Sequence, residues 1–297
     1  MNEIQKGMKN ILVTGSSGQL GHEIRGLAYT HKYKIHKYFH TGRKNLDITD
    51  RDKVKLFVDS NSIDCIINCA AYTNVDKAES EPDMATMVNA SAVEGLVHEA
   101  AKYKIPVIHV SSDYVFDGAN YIPYREDDIA NPVSAYGRSK LQGENHVLQY
   151  ELGTIVRTSW LYSSRGKNFF NTILKLGEEK DEIKVVYDQI GTPTYARDVA
   201  IVLLDIATIA TGGNNRFAGK IYHYSNEGVC SWYDFAIEIL RLTGRNCRII
   251  PVETPEYPTL AKRPYYSVLN KSKIKNELSM TIPHWRSSLQ NCIDKLG

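Results

Sequence analysis

Short apolar runs and amphipathic segments alternate along the first half of the chain. The runs have the length of buried strands, and the segments between them place apolar residues on one helical face, as Val88, Ala92 and Leu96 do. Strands are predicted over residues 11–13, 33–39, 63–68 and 107–110, and a further strand begins at residues 155–156. Helices are predicted over residues 54–58, 85–102 and 136–148, and an earlier helix ends at residue 27. Strands alternating with helices in this way predict βαβ units around a parallel sheet.

The alternation loosens after Trp160. Helices are predicted over residues 169–176, 198–209 and 231–242, and strands over residues 183–187 and 222–224. Ser231 is a residue type that caps helix N-termini. Five of the 10 prolines lie beyond residue 250, which favours loops and a binding surface in the tail.

These patterns predict an α/β fold, a Rossmann-type doubly wound parallel sheet with a smaller C-terminal substrate-binding lobe. The dinucleotide-binding domain is expected to comprise residues 8–159 plus about 183–225, and the lobe residues 160–182 and 226–297. Residues 1–7 lack the apolar core of a signal peptide, and the functional chain is expected to start near Met8.

Composition narrows the classes of partner. Lys and Arg number 36 against 34 Asp and Glu, a net charge of +2 that indicates neither a nucleic-acid nor a membrane partner. No apolar run approaches the ~20 residues of a transmembrane helix. The five cysteines form no CxxC pair, which fits a reducing cytoplasm.

A glycine loop directly follows the first predicted strand. Gly15, Gly18 and Gly21 have the spacing GxxGxxG, in the strand–turn–helix context of a phosphate-binding loop. The acid expected about 20 residues further on, which would bind the ribose 2′-hydroxyl, is missing. Arg43 and Lys44 lie there instead and favour the 2′-phosphate of NADPH, although they could be solvated loop charges, and NADH stays possible.

Small residues follow the strand predicted at 63–68. The segment from Ala70 to Thr73 would let a dinucleotide pass close to the backbone. Small residues would also serve tight packing of a helix on the sheet, so this segment by itself leaves both interpretations open.

Tyr136 and Lys140 form a YxxxK pair at the start of a predicted helix. Their spacing puts both on one helix face, where an ammonium is expected to lower the pKa of the phenol and suit it for proton transfer. Ser112 lies just past the strand predicted at 107–110 and can hydrogen-bond a carbonyl that is being reduced. Asp113 follows it and could simply fix a turn. Glycine loop, serine and YxxxK together predict a reductase.

Almost the whole chain resembles the extended short-chain dehydrogenase/reductase superfamily and, within it, the dTDP-4-dehydrorhamnose reductases. Residues 73–79, 157–162 and 188–194 are more specific to that family than the glycines or YxxxK. The other matching segments are residues 15–21, 45–49, 70–72, 111–116, 136–140 and 261–264.

The resemblance implies that NADPH delivers hydride to C4 of dTDP-4-dehydro-6-deoxy-L-mannose, with Tyr136 as proton donor. Lys140 would tune Tyr136 and hold the nicotinamide ribose, while Ser112 would contact the sugar. The implied cofactor-binding residues are Gly15, Gly18, Gln19, Leu20, Gly21, Asp47, Ile48, Ala70, Ala71, Tyr72, Thr73, Tyr136 and Lys140. The implied substrate-binding residues are Ser112, Asp113, Val75, Trp160, Asn168 and Arg263.

Some features depart from the family pattern or leave the assignment open. Ser112 stands where many members have threonine, which keeps the hydroxyl. Some members bridge a dimer through a metal held by glutamates; Glu23 matches one such position, but Arg197 replaces another, so no metal is expected. The protein is expected to be a monomer or homodimer. Another nucleotide-sugar epimerase or dehydratase, and a non-catalytic NADP-binding regulatory subunit, are the alternatives.

Overall fold

The computed structural model describes residues 7–296 of the chain, so most of the N-terminal extension, residues 1–6, lies outside the described residues. Its strands, in chain order, are β1 (Asn10–Thr14), β2 (Lys37–His40), β3 (Cys65–Asn68), β4 (Val107–Ser112), β5 (Gly153–Thr158), β6 (Leu161–Tyr162), β7 (Glu182–Val186), β8 (Ile190–Gly191), β9 (Thr194–Tyr195), β10 (Lys220–His223), β11 (Cys230–Ser231) and β12 (Arg248–Val252). Its helices are α1 (Gln19–Ala28), α2 (Arg51–Asn61), α3 (Val75–Ser80), α4 (Pro82–Thr86), α5 (Ala92–Lys102), α6 (Ala135–Leu148), α7 (Phe169–Glu179), α8 (Ala196–Thr211), α9 (Trp232–Leu242), α10 (Ser272–Leu278) and α11 (Trp285–Ile293).

The central sheet has the strand order β10-β5-β4-β3-β1-β2, and every neighbouring pair in it is parallel. The direction of winding reverses between β1 and β3, which defines a switch point where ligands of doubly wound folds bind. This arrangement confirms the predicted fold class.

Helices cover both faces of the sheet because successive strand residues point to opposite sides. On one face Ile11 and Val13 pack with residues of α1 and α8. On the other face Leu12 packs with residues of α2 and α5. The strands are therefore buried on both sides, as parallel sheets require.

A second hydrophobic core is built from α7, which precedes β10 in the chain, and from α9 and α11, which follow it. Strand β7 pairs with β12 in a separate two-stranded sheet, and Ile183 and Val185 are part of this second core. Sequence analysis grouped residues 183–187 with the dinucleotide-binding domain, whereas the strand packs in the second core. Its partner is 66 residues away in the chain, a pairing that local patterns do not reveal.

The C-terminal part of the chain contains regular structure that the pattern did not predict. Strand β12 includes Pro251, and α10 and α11 follow it. Helix α10 returns to the first core, where Ile274 packs beside the sheet. The N-terminus of α9 was predicted correctly: the Ser231 side chain accepts from the backbone N–H of Asp234, whose carboxylate accepts from the Ser231 N–H.

The helix predicted over residues 85–102 is interrupted by a π-helical turn at Met87–Ser91. Such turns are rare and frequently occur at functional sites. Within residues 7–296, no helix is both long enough and apolar enough to cross a membrane.

Candidate active site

The glycine loop joins β1 to α1 and lies at the switch point of the sheet. Gly15 has φ +66°, and a Cβ atom there would come within 2.6 Å of the Ala70 backbone nitrogen. A Cβ on Gly21 would lie 2.6 Å from the Gly15 carbonyl oxygen. The N-terminus of α1 has neither a side-chain cap at Gly18 nor an acid in its first turn. Free N–H groups and the helix dipole therefore suit a phosphate, as a dinucleotide requires.

Of the other predicted residues in this loop, Leu20 is buried in the first core, so it can face a cofactor only through its backbone. The Gln19 side-chain oxygen accepts a hydrogen bond of 2.7 Å from the amide of Asn168, which also caps α7. The structure thus joins a predicted cofactor residue to a predicted substrate residue across the two cores.

The segment from Ala70 to Thr73 lies beside the glycine loop and is held by two asparagines. Asn68 accepts from the Ala70 N–H at 3.2 Å. Asn89, in the π-helical turn, accepts from the Tyr72 N–H at 2.8 Å and donates to the Tyr72 carbonyl at 3.1 Å. The irregular helix therefore serves to fix the backbone of this segment.

At the end of β2, Arg43 is exposed and pairs with Asp47 at 3.2 Å. Asp47 also accepts from the Thr49 hydroxyl and N–H, and Ile48 is buried in the core beneath. The carboxylate of Asp47 is thus committed to local contacts, and the cationic side chains of Arg43 and Lys44 are exposed in this loop.

Tyr136, Ser112 and Asp113 meet at the carboxyl end of β4. The Ser112 hydroxyl donates to the Asp113 carboxylate at 2.8 Å and lies close enough to Tyr136 to act on its phenol. Burial raises the pKa of Asp113 to about 6, against the lowering by its hydrogen-bond donors. The second carboxylate oxygen of Asp113 is buried without a hydrogen-bond partner among the described residues.

Burial raises the pKa of the Tyr136 phenol, and the Ser112 hydroxyl opposes this rise only in part. The lowering that the YxxxK spacing predicts is therefore wrong for this structure. The reason is the contacts of Lys140: its Nζ lies 2.7 Å from the Val110 carbonyl oxygen and 3.2 Å from Nε2 of His109. The phenol is therefore protonated at neutral pH, as a proton donor must be, but it is a weaker acid than an ordinary tyrosine.

Lys140 is almost completely buried, with 2% of its surface exposed. Burial lowers the pKa of Lys140 to about 8, and the carboxylate of Glu144 one helical turn away moderates this effect. The amine therefore titrates nearer to neutral pH than a solvated lysine does.

A guanidinium connects the C-terminal segment to this centre. Arg263 donates to the Tyr114 hydroxyl at 3.1 Å and forms an ion pair with Asp76. The Tyr114 ring lies edge-on to that of Tyr136, with centroids 5.4 Å apart. Val75 packs in the same small cluster as the two tyrosines.

Trp160 lies on the side of the second core. Its backbone adopts a left-handed conformation, with φ +48°, and its indole stacks on Trp232 at a centroid distance of 3.5 Å. A Cβ atom on Gly191 would come within 2.7 Å of the Trp160 indole nitrogen. The Trp160 ring is thus held between a second tryptophan and a glycine.

The family model for the RmlD substrate binding domain matches residues 8–297. The chain belongs to this family. A curated relative, the dTDP-4-dehydrorhamnose reductase of Sinorhizobium fredii, is 38% identical over 288 residues, which cover 95% of this chain and 96% of that protein.

Two solved structures of family relatives have a similar fold. The dTDP-4-dehydrorhamnose reductase of Clostridium acetobutylicum has a TM-score of 0.90 and 40% identity, covering 97% of this chain and 99% of that one. The dTDP-4-dehydrorhamnose reductase of Bacillus anthracis, solved in complex with NADP, has a TM-score of 0.90 and 33% identity, with the same coverages of 97% and 99%.

Several buried polar residues at the site were missed by sequence analysis. His109 interrupts an apolar strand, and Asn89 falls on the buried face of a helical pattern, so a polar residue at an apolar position was the available signal. Tyr114, Asp76 and Trp232 carried no such signal.

Glu23 matches the position of a glutamate that binds a metal in some family members. In this chain a guanidinium nitrogen of Arg197 lies 3.5 Å from the Glu23 carboxylate. Across residues 7–296, no three His, Cys, Asp or Glu side chains converge in a group that could hold a metal ion. The absence of a metal stays a prediction.

Proposed function

We propose that this protein is an NADPH-dependent reductase that converts the C4 ketone of dTDP-4-dehydro-6-deoxy-L-mannose to dTDP-L-rhamnose. The observation that carries the proposal is the convergence of Tyr136, Ser112 and Asp113 at the carboxyl end of β4, two strands from the glycine loop that follows β1 in the same parallel sheet. Family relatives named dTDP-4-dehydrorhamnose reductase, one of them solved with NADP, support the substrate and the cofactor.

The cofactor would be held by the backbone of Gly15 to Gly21 and by the segment from Ala70 to Thr73. Gly15 and Gly21 permit the close approach, and the uncapped N-terminus of α1 receives the phosphates. NADPH supplies the hydride that reduces the ketone carbon. Arg43 and Lys44 would meet the 2′-phosphate, while NADH would lack that contact.

Tyr136 gives its phenolic proton to the carbonyl oxygen, which becomes the C4 hydroxyl. The phenol is protonated at neutral pH, and the Ser112 hydroxyl opposes part of the rise in pKa that burial causes. The Ser112 hydroxyl donates a hydrogen bond to the same oxygen and stabilises the developing charge. Lys140, one turn further along α6, would hold the nicotinamide ribose.

The sugar nucleotide would occupy the cleft between the two cores. Asp113 has a buried carboxylate oxygen that can accept from a sugar hydroxyl. Trp160 would offer an apolar ring edge to the sugar, and Arg263 suits the diphosphate because a guanidinium can bind two of its oxygens. Asn168 and Val75 would complete the cleft.

Location, partners and domain roles can be proposed alongside this function. We propose a cytoplasmic protein, because five cysteines are free in the structure. The near-neutral net charge of +2 argues against a nucleic-acid partner. The protein would act as a monomer or homodimer, with residues 8–159 and α8 to β10 binding the cofactor.

The test is an NADPH oxidation assay with the 4-keto sugar generated in situ. The proposal predicts one NADPH consumed for each dTDP-L-rhamnose formed, and slower turnover with NADH. Product without net NADPH loss would indicate an epimerase that recycles its cofactor. Absence of turnover, together with a stable co-purifying enzyme, would indicate a regulatory subunit.

A further inference from the structure

A row of buried polar side chains crosses the sheet beneath the proposed cofactor site. Thr14, Asn68 and His109 are direct cross-strand neighbours on β1, β3 and β4. The Thr14 hydroxyl lies 2.6 Å from Asn68 Oδ1, and Asn68 Nδ2 lies 2.9 Å from His109 Nδ1. The row ends at Lys140, whose Nζ lies 3.2 Å from His109 Nε2. Each of the four is at most 2% exposed.

One contact sets the direction of hydrogen bonding along the row. The backbone N–H of Ala70 can only donate, and it points at Asn68 Oδ1 at 3.2 Å. The other side-chain atom of Asn68 is therefore the NH₂ group, which donates to His109 Nδ1. In a neutral imidazole that accepts at Nδ1, the proton lies on Nε2. Nε2–H of His109 then points at the Lys140 nitrogen.

A second buried histidine provides a comparison inside the same molecule. Nδ1 of His223 lies 3.1 Å from the Tyr124 carbonyl oxygen, which can only accept, so the proton of His223 lies on Nδ1. Its Nε2 faces a guanidinium nitrogen of Arg157 at 3.5 Å and accepts from it. The two histidines therefore have opposite tautomers and opposite relations to their cationic neighbours.

We propose that His109 is a positioning residue for Lys140: it donates its Nε2–H to the neutral Lys140 amine, and the row from Ala70 to His109 makes this contact unfavourable for the ammonium. Protonation of Lys140 would oblige His109 to move its proton to Nδ1. That proton would meet the NH₂ group of Asn68, and turning Asn68 would deprive the Ala70 N–H of its acceptor.

The row consequently couples the proton on Lys140 to the backbone of the segment that is proposed to pass the cofactor. Apart from His109, the ionisable groups that act on Lys140 are Glu144 on its own helix and Cys69 after β3, while Tyr136 lies one turn earlier on α6. Glu144 favours the ammonium, but its carboxylate is already bound by Arg157. Burial lowers the pKa of Lys140, and an Nε2–H group of His109 at 3.2 Å would act in the same direction.

The first measurement determines the tautomers of the two histidines in the wild-type protein, and variants serve only to assign the signals. Protein labelled with nitrogen-15 histidine is studied by long-range proton–nitrogen NMR above pH 8, where the Lys140 amine is mostly neutral and burial keeps His109 and His223 neutral by lowering both pKa values. The inference predicts Nε2–H for His109 and Nδ1–H for His223, with signals assigned from His109→Gln and His223→Gln. An Nδ1–H or doubly protonated His109 would overturn it.

The second measurement uses a variant that is expected to reverse the direction of the hydrogen bond between residue 68 and His109. In Asn68→Asp the carboxylate has no proton to donate, so His109 is expected to switch to Nδ1–H and the pKa of Lys140 to rise. Thr14→Ser keeps the hydroxyl and serves as the matched control, with neither change expected. Retention of Nε2–H in Asn68→Asp would contradict the proposed direction.

The third measurement follows Lys140 itself by carbon-13 NMR of its Cε, assigned with Lys140→Arg. In His109→Gln the side-chain amide can turn its oxygen towards an ammonium, so the pKa of Lys140 should rise by about one unit or more. An unchanged pKa would remove His109 from this role.

The importance of the row for turnover rests on the proposed function, and the pH profile of NADPH oxidation in His109→Gln should shift in the same direction as the pKa of Lys140. The NMR measurements do not require activity. The predicted tautomers in a protein without reductase activity would support the His109 inference and contradict the proposed function.

Discussion

Two basic side chains are buried where helix α6 packs on the sheet: Lys140 on α6 itself and Arg157 on β5. Their surroundings differ in one respect. Arg157 on β5 forms a two-pronged ion pair with Glu144 of α6, with distances of 2.9 and 2.7 Å, and both side chains are at most 3% exposed. Lys140, one turn earlier on α6, has the Val110 carbonyl and His109 as partners and no carboxylate in direct contact.

The difference separates a structural cation from one suited to chemistry. A guanidinium bound by a carboxylate stays charged, and it ties α6 to the sheet. An amine bound by a carbonyl and a neutral ring has a pKa of about 8 as a result of burial, so its charge can respond to its surroundings. The same helix thus carries one ion pair that holds the fold together and one lysine that can be tuned.

Removing the structural cation should give the largest loss of stability. Arg157→Met leaves Glu144 buried and unpaired, and the free energy of unfolding should fall by about 3–5 kcal/mol, measured by urea denaturation. The double variant Glu144→Leu/Arg157→Met removes both charges and should recover much of this loss. A double variant as unstable as the sum of the two single variants would show that the ion pair is not coupled.

Of these two buried basic side chains, Lys140 and not Arg157 should contribute to the pH dependence of the free energy of unfolding. The pKa of Lys140 is about 8 in the folded protein, against about 10.4 in an unfolded chain, so the unfolded chain binds more protons between these values. The cost of burying the ammonium is complete below about pH 8, and the free energy of unfolding rises by up to about 3 kcal/mol as pH approaches 10.4.

This rise is measured as the difference between wild type and Lys140→Met over that pH range. The difference cancels the opposite contribution of the buried tyrosines, whose raised pKa values make them lose stability at high pH. Parallel curves for the two proteins would mean that Lys140 is not destabilised as an ammonium.

Arg43 is an exposed cation, and its removal should have the smallest effect on the free energy of unfolding. Arg43 pairs with Asp47 in solvent, so Arg43→Ala should change the free energy of unfolding by no more than about 0.5 kcal/mol. It should raise KM for NADPH several-fold, by about 1 kcal/mol of binding, and leave KM for NADH unaffected. Equal changes for the two cofactors, or a preference for NADH in wild type, would exclude the 2′-phosphate contact.

The fold was largely predictable because strand and helix periods alternate locally from β1 to β5. Strand β12 escaped because it contains Pro251 and pairs with a strand far away in the chain. The π-helical turn at Met87–Ser91 escaped because its apolar spacing resembles that of an α-helix.

The site was predictable where function depends on chain position. Ser112 and Tyr136 come together because the carboxyl ends of parallel strands share one edge of the sheet. The pKa of Tyr136 was not predictable, since it depends on burial and on where Lys140 points, and neither follows from a four-residue spacing. His109 was visible as a polar residue in an apolar strand, but its partners come from separate elements.

The most direct test of the account concerns Tyr136 as proton donor. Tyr136→Phe removes the phenolic hydroxyl and should reduce kcat for NADPH oxidation by about 10²-fold or more, while the dissociation constant for NADPH stays nearly unchanged. The matched control is Tyr222→Phe, which removes a buried hydroxyl on β10 that has no partner within residues 7–296 and should leave kcat unaltered. Wild-type turnover in Tyr136→Phe would contradict the central claim.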